Sequence, residues 1–195
     1  MIMAAAGYRS FYEAIRDNAR DRPDKIYLES VNDSRSLSYR ELFTSTNRLS
    51  RLLASMGLEP NDRVMLLANN GLEQAVVFLG VLRHGACVCT VNIEMNERHL
   101  AQIIRAVAPR LLVFEAYVGI EKIVSTWSGR KLPLGVWTSN VNSGLFDEIS
   151  DLGTADPGPP ACGPNDDAVI FYPSGTDAAP KGVIYAHATL FHNSD

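Results

Sequence analysis

Apolar positions along this chain of 195 residues keep two periods, and the points where one gives way to the other divide it into elements. Ser10 and Glu13 stand three residues apart as a capping box, and Phe11, Ala14, Ile15 and Ala19 follow at helical spacing until Pro23 ends the run. Segments 26–31 and 35–38 flank Asn32-Asp33 and predict a hairpin. Ser38 and Glu41 form a second capping box, with Leu37 and Leu42 placed as its hydrophobic staple. The helix they open carries Tyr39, Leu42, Phe43, Thr46, Leu49, Leu52, Leu53 and Met56 on one face. Gly57 supplies its stop, with Pro60 beyond.

After Asp62 the period changes. Residues 63–68 read as a buried strand, 72–83 as a helix and 86–91 as a strand. Asn96 caps a helix carrying Leu100, Ile103, Ile104 and Val107, which Pro109 ends. Residues 110–114 predict a further strand, and a weaker helix precedes another at 134–137. Four prolines between 156 and 165 mark a loop that delivers the chain to an apolar run at 168–172. Strands recurring with helices between them require right-handed crossovers. The fold class is therefore α/β, a mainly parallel sheet with helices on both faces.

Composition narrows the picture without redirecting it. Apolar residues make up 46% and charged residues 21%, as in a globular domain. A net charge of −4 gives no footprint for nucleic acid or an anionic membrane. The apolar stretch 75–91 is broken by Arg83, His84 and Gly85, so it divides into a helix and a strand and predicts no membrane span. No targeting peptide is expected from residues 1–7, and an odd set of three cysteines fits a reducing cytoplasm. Cys87 and Cys89 alternate as small hydrophobes in a buried strand, and no metal site is expected. His84, His99 and His192 show no ligand spacing and are read as surface or interface residues. Tyr39 and Trp137 are read as packing residues.

Candidate chemistry gathers at 166–193. One apolar run ends at Tyr172, a loop with Ser174, Gly175, Thr176 and Asp177 follows, then Pro180, Lys181 and Gly182, and a second run leads to His187. Glycine and hydroxyl residues let backbone N–H groups turn inward around an anion, with lysine as counter-charge. Pro180 and Gly182 hold the places where a Walker loop needs glycine and a hydroxyl residue, so it is not one. No G-x-S-x-G, H-E-x-x-H, C-x-x-C or post-strand G-x-G-x-x-G occurs.

Tyr172, Ser174, Gly175, Thr176, Pro180, Lys181, Gly182, Val183 and His187 together resemble the phosphate-loop signature of the adenylate-forming enzymes, the superfamily of acyl-CoA synthetases, luciferases and peptide-synthetase adenylation domains. Pro173, Asp177 and Ala178 depart from it. Upstream, 37–42 with Asn47-Arg48-Leu49 is similar to the family's first helix, and 57–64 to its G-x-x-P-G-D-R-V turn, with Asn61 for glycine. Asn69-Asn70, Leu79-Gly80, Gly85-Ala86 and Asn92 fall where the family has its N-S, L-G and G-A pairs and its later asparagine. The resemblance implies that 1–195 is an incomplete N-terminal domain of an acyl-CoA synthetase-like fold, ending just after the phosphate loop.

It also implies a chemistry. A carboxylic acid and ATP, with Mg2+, give an acyl-adenylate and pyrophosphate, and CoA then takes the acyl group. Ser174, Gly175, Thr176, Asp177, Lys181 and Gly182 would line the phosphates. Lys181 and His187 would be catalytic, the histidine beside the acyl pocket or adenylate. On physical grounds alone a solvated loop lysine is the lesser reading of Lys181, whereas His187 reads equally as a helix-capping residue. Asp177 sets a carboxylate where phosphate oxygens approach, a repulsion of about 1 kcal/mol per charge pair in water and about 4 at an effective dielectric of 20. Two other readings stand beside the acid–CoA ligase fragment: a non-catalytic binding module and an amino-acid adenylation domain. A sheet edge left open predicts a homo-oligomer.

Overall fold

The computed structural model describes residues 9–31, 33–116, 118–136, 144–172 and 180–190. Both capping boxes form. Ser10 opens α1 (Phe11–Asp21) by accepting from the Glu13 amide while the Glu13 carboxylate accepts from the Ser10 amide, and Ser38 and Glu41 repeat this at α2 (Tyr39–Ser55). Leu37 and Leu42 are fully buried at that second cap. Between the helices, β1 (Ile26–Glu29) and β2 (Ser36–Ser38) pair antiparallel as a separate ribbon.

The rest is a six-stranded sheet. In chain order it comprises β3 (Arg63–Leu67), α3 (Leu72–His84), β4 (Cys87–Thr90), α4 (Glu97–Val107), β5 (Leu111–Phe114), α5 (Val118–Thr126), β6 (Arg130–Pro133), α6 (Leu145–Ser150), β7 (Asp167–Phe171) and β8 (Val183–Ala186). A 3-10 turn at His187–Leu190 follows. Spatial order is β6-β5-β3-β4-β7-β8, with every neighbouring pair parallel except β7–β8. The pleat sends Val64, Leu66, Val88, Leu111 and Val113 to one face, where α2, α3 and α6 cover them. Met65, Leu67, Cys87, Cys89 and Leu112 go to the other, under α4 and α5. The α/β sheet with helices on both faces is thus as the periodicity predicts.

Close approach sets the first layer. At Gly80 a Cβ would lie 2.4 Å from Leu49 Cδ2, so α2 and α3 meet where only glycine leaves room. Asn61 sits at φ +67° and donates its amide to the Gly85 carbonyl at 2.9 Å. Asparagine tolerates that left-handed conformation, which explains how it stands where the family pattern has glycine.

Two elements differ from expectation. The strand that follows α5 is Arg130–Pro133, not 134–137. Its exposure pattern leaves only Leu132 buried, as suits an edge strand, while Leu134 is buried just beyond it and donates to the Phe114 carbonyl. Trp137 lies outside the described residues. The short helix α6 had no periodic signal, yet it buries Leu145, Phe146 and Ile149. No described helix is long and apolar enough to cross a membrane.

Candidate functional site

Topology opens a crevice before any side chain is considered. From β3 the chain crosses by α3 over one face to β4, and from β4 it returns by α4 over the other face to β5. At such a switch point the carboxyl ends of two adjacent strands part. A cleft of about 410 Å³ lies there. Asn69, Asn70 and Gln74 line it from the β3 side, Thr90 and Asn92 from β4, and Tyr172 from the end of β7. Asn69 donates through its backbone and side-chain nitrogens to Glu115 Oε2 at 2.9 and 3.1 Å, and Asn92 Oδ1 accepts from the Glu94 amide at 2.9 Å. The wall is thus rich in neutral amides held in place by local hydrogen bonds.

Tyr172 carries this cleft to the sequence predicted to grip phosphate. Ser174, Gly175, Thr176 and Asp177 lie outside the described residues. The two shoulders of their segment are described and touch each other. A Cβ on Gly182 would fall 2.9 Å from Tyr172 Cζ and 3.1 Å from Ile170 Cγ2. Gly182 therefore makes room for the tyrosine ring that lines the cleft, a packing role that sequence reasoning did not separate from phosphate binding. Lys181 beside it is exposed.

His187 is placed differently. It begins the 3-10 turn after β8, is 1% exposed, and its Nε2 has no hydrogen-bond partner among the described residues. Its amide donates to the Asp166 carbonyl at 3.0 Å, and the Ala188 amide to the Pro164 carbonyl at 2.8 Å. Burial pushes the imidazole pKa down, with Asp166 opposing, so the ring is neutral near pH 7. The structure joins Tyr172, Gly182 and the cleft, while His187 lies within the base of the β7–β8 hairpin.

Sequence reasoning missed the polar cluster that fixes the approach to β7. Arg83, 1% exposed, donates through Nε to Asn47 Oδ1 at 2.9 Å and through NH2 to Asp156 Oδ1 at 2.8 Å. Its guanidinium lies 4.5 Å from the Tyr12 ring centre, and Tyr12 donates its hydroxyl to Asp156 Oδ2 at 2.6 Å. Arg48 and Arg51 donate to the carbonyls of Leu152 and Ala155, strapping the same segment to α2. Burial works to raise the Asp156 carboxyl, but Tyr12, the Gly158 amide and Arg83 outweigh it and hold the pKa below its ordinary value. The available signal was a charge within the apolar stretch 75–91, read only as an interruption. His84, read as a surface or interface residue, proves to be an internal one. It is partly buried between α2 and α3, within 3.0 Å of both Ser50 Oγ and the Leu58 carbonyl. Burial depresses its pKa.

Buried Cys87 and Cys89 contribute no nucleophile, since desolvation pushes both thiols up to about 12. Among the described residues no group of three His, Cys, Asp or Glu could hold a metal ion.

An α/β sheet with this switch-point crevice, and with a Ser-Gly-Thr and lysine segment leaving the strand beside it, has the frame of a nucleotide-handling domain. The chain belongs to the AMP-binding enzymes, whose family model matches residues 15–195. It is similar to gramicidin S synthase 2 of Brevibacillus brevis, 28% identical over 177 residues that are 91% of this chain and 4% of that protein. It is also similar to the probable CoA ligase CCL5 of Humulus lupulus, 30% identical over 89% of this chain and 32% of that one. Among solved structures, ATP-bound MatB from Rhodopseudomonas palustris superposes with a TM-score of 0.79 at 26% identity, over 95% of this chain and 36% of MatB. The chain thus spans about a third of the CoA ligase it resembles and a few hundredths of the synthase.

Proposed function

We propose that this chain is the N-terminal, phosphate-gripping part of an ATP-dependent acid–CoA ligase. The observation that carries the reading is the junction at Tyr172, where the switch-point cleft meets the segment with Ser174, Gly175, Thr176 and Lys181. Backbone and hydroxyl donors of 174–176 hold the β- and γ-phosphates, and exposed Lys181 adds positive charge. A carboxylate attacks the α-phosphorus of ATP, the bond to the bridging oxygen breaks, and pyrophosphate leaves with the electron pair. A thiol then displaces AMP from the acyl-adenylate. In this chain the residues bind, orient and neutralise charge, which is most of what transfer at phosphorus asks of a protein. Mg2+, if bound with the nucleotide, would supply further charge neutralisation at the phosphates. His187 supports the hairpin from within.

The likeness to a CoA ligase over 89% of the chain supports CoA as acceptor. The match to gramicidin S synthase 2 supports a second reading, an adenylation domain that hands its acid to a carrier. Both share the phosphate grip, and that is what the test addresses. Binding of ATP and of pyrophosphate is measured with Lys181→Ala and Asp177→Thr, in this chain and in a complete relative given its loop. Lys181→Ala should weaken binding, and Asp177→Thr should strengthen it by about tenfold to a hundredfold, the worth of one charge near the phosphates. Both effects should shrink as salt is raised. If neither substitution changes affinity in the complete relative, the loop does not hold phosphate and the proposal fails.

A further inference from the structure

At the other end of the sheet, α4 and α5 enclose a groove of about 270 Å³ that the phosphate-loop reading does not use. The helices run side by side after consecutive parallel strands, and Lys122 Nζ bonds Glu97 Oε2 at 3.0 Å across their first turns. Beyond that pair the helices part. Ala101, Ile104 and Ile123 form an apolar floor, the Trp127 ring a wall, and Arg105 stands at the rim. Arg105 lies in the last turn of α4, which leads into the amino end of β5, whereas the phosphate loop leaves the carboxyl end of β7. The two sites therefore face opposite ends of the sheet.

What the groove offers is one-sided. Arg105 is exposed and makes no ion pair or side-chain hydrogen bond with a described residue. The Trp127 indole N–H is buried beside Gly129 and has no acceptor among the described residues. Lys131 adds a third donor nearby, its Nζ 3.0 Å from the Val124 carbonyl and 3.3 Å from that of Trp127. The other polar lining group among the described residues, the Thr126 hydroxyl, already donates to the Ile123 carbonyl at 2.8 Å. Among the described residues no carboxylate lines the groove. An apolar floor with spare donors at one end complements a ligand with an apolar body and an acceptor-only head.

We propose that the α4–α5 groove binds a monocarboxylate with a short apolar body, its head on Arg105 and its chain against Ile104, Ile123 and Trp127. This site is independent of ATP and of the phosphate loop.

The test follows the two tryptophan indole N–H signals by 1H–15N NMR in the full chain, assigned with Trp137→Phe. Octanoate is the probe, octanol its neutral control. Octanoate should move the Trp127 signal saturably in the millimolar range or tighter. Octanol, and octanoate on Arg105→Gln, should need about tenfold more or show no saturation, since a hydrogen bond to a charged group is lost. Arg105 is exposed, so the substitution leaves the core intact, and unchanged backbone spectra verify that. The proposal is overturned if octanoate leaves the Trp127 signal unmoved, if octanol acts as strongly, or if Arg105→Gln binds with the same half-saturation.

Discussion

Asp156→Ala should be among the most destabilising single substitutions outside the apolar core. It leaves Arg83, 1% exposed, with a full charge and no counter-ion, since Arg stays protonated when buried. The Tyr12 hydroxyl loses its acceptor as well. Opposite charges about 4 Å apart attract by about 4 kcal/mol at an effective dielectric of 20, and stranding one partner of a buried pair costs about 3–5 kcal/mol. Asp156 is 31% exposed, which places this case at the low end, about 3 kcal/mol. For a chain of this size that lowers Tm by roughly 6–12 °C. Arg83→Met should cost less, about 1 kcal/mol, because the freed carboxylate can turn to water. The double variant should then be more stable than Asp156→Ala alone, a coupling of about 2 kcal/mol. Urea unfolding of the four proteins measures all of this. Asp156 titrates below its ordinary value in the fold, so its contribution is complete above the unfolded pKa and disappears as pH falls through the folded one. Wild type and Asp156→Ala should therefore converge in acid. A cost under about 1 kcal/mol for Asp156→Ala, or additive effects in the double variant, would refute the reasoning, because Arg83 would then be compensated by something other than Asp156.

His84 and His187 both titrate below the ordinary histidine value in the fold, so the unfolded chain takes up protons first as pH drops. Stability should be complete above about pH 6.5 and decline below it by at most about 1.4 kcal/mol per histidine per pH unit. Urea midpoints at neutral and mildly acidic pH should show a smaller decline in His84→Gln and His187→Gln. Gly80→Ala should destabilise by about 2 kcal/mol through the clash with Leu49, and Leu49→Ala should relieve part of that in the double variant, read by thermal melts. Gly182→Ala should cost about 1 kcal/mol, since the Tyr172 ring end can shift while Ile170 cannot, and the added cost should shrink in an Ile170→Ala background.

How much of this was legible depended on whether the determinants were local. Both capping boxes and the Asn96 cap declared α1, α2 and α4, because a cap needs only residues three positions apart. The parallel sheet followed from alternating periods. Strand β6 was misplaced because an edge strand buries one residue, Leu132, and its Arg130 and Lys131 carry no strand signal, while apolar residues just beyond it do. Arg83 and Asp156 are 73 positions apart, and nothing local tells a buried, paired arginine from a solvated one. At the candidate site the motif residues were readable, whereas the cleft was not. It is built by strand order, which brings 68–74, 90–94 and Tyr172 together.

The three cysteines give the molecule a built-in clock for its own opening. Cys87 and Cys89 are sealed in β4 with thiols raised to about 12, so an alkylating reagent reaches them only when the sheet itself comes apart. Cys162 is only partly buried, and its Sγ lies 3.1 Å from where a Cβ on Gly85 would sit, in the segment that Asp156 tethers. Its modification times the detachment of that tether, and the slower pair times global unfolding. The lag between them separates loosening of the approach to β7 from loss of the fold, in a single unmodified chain.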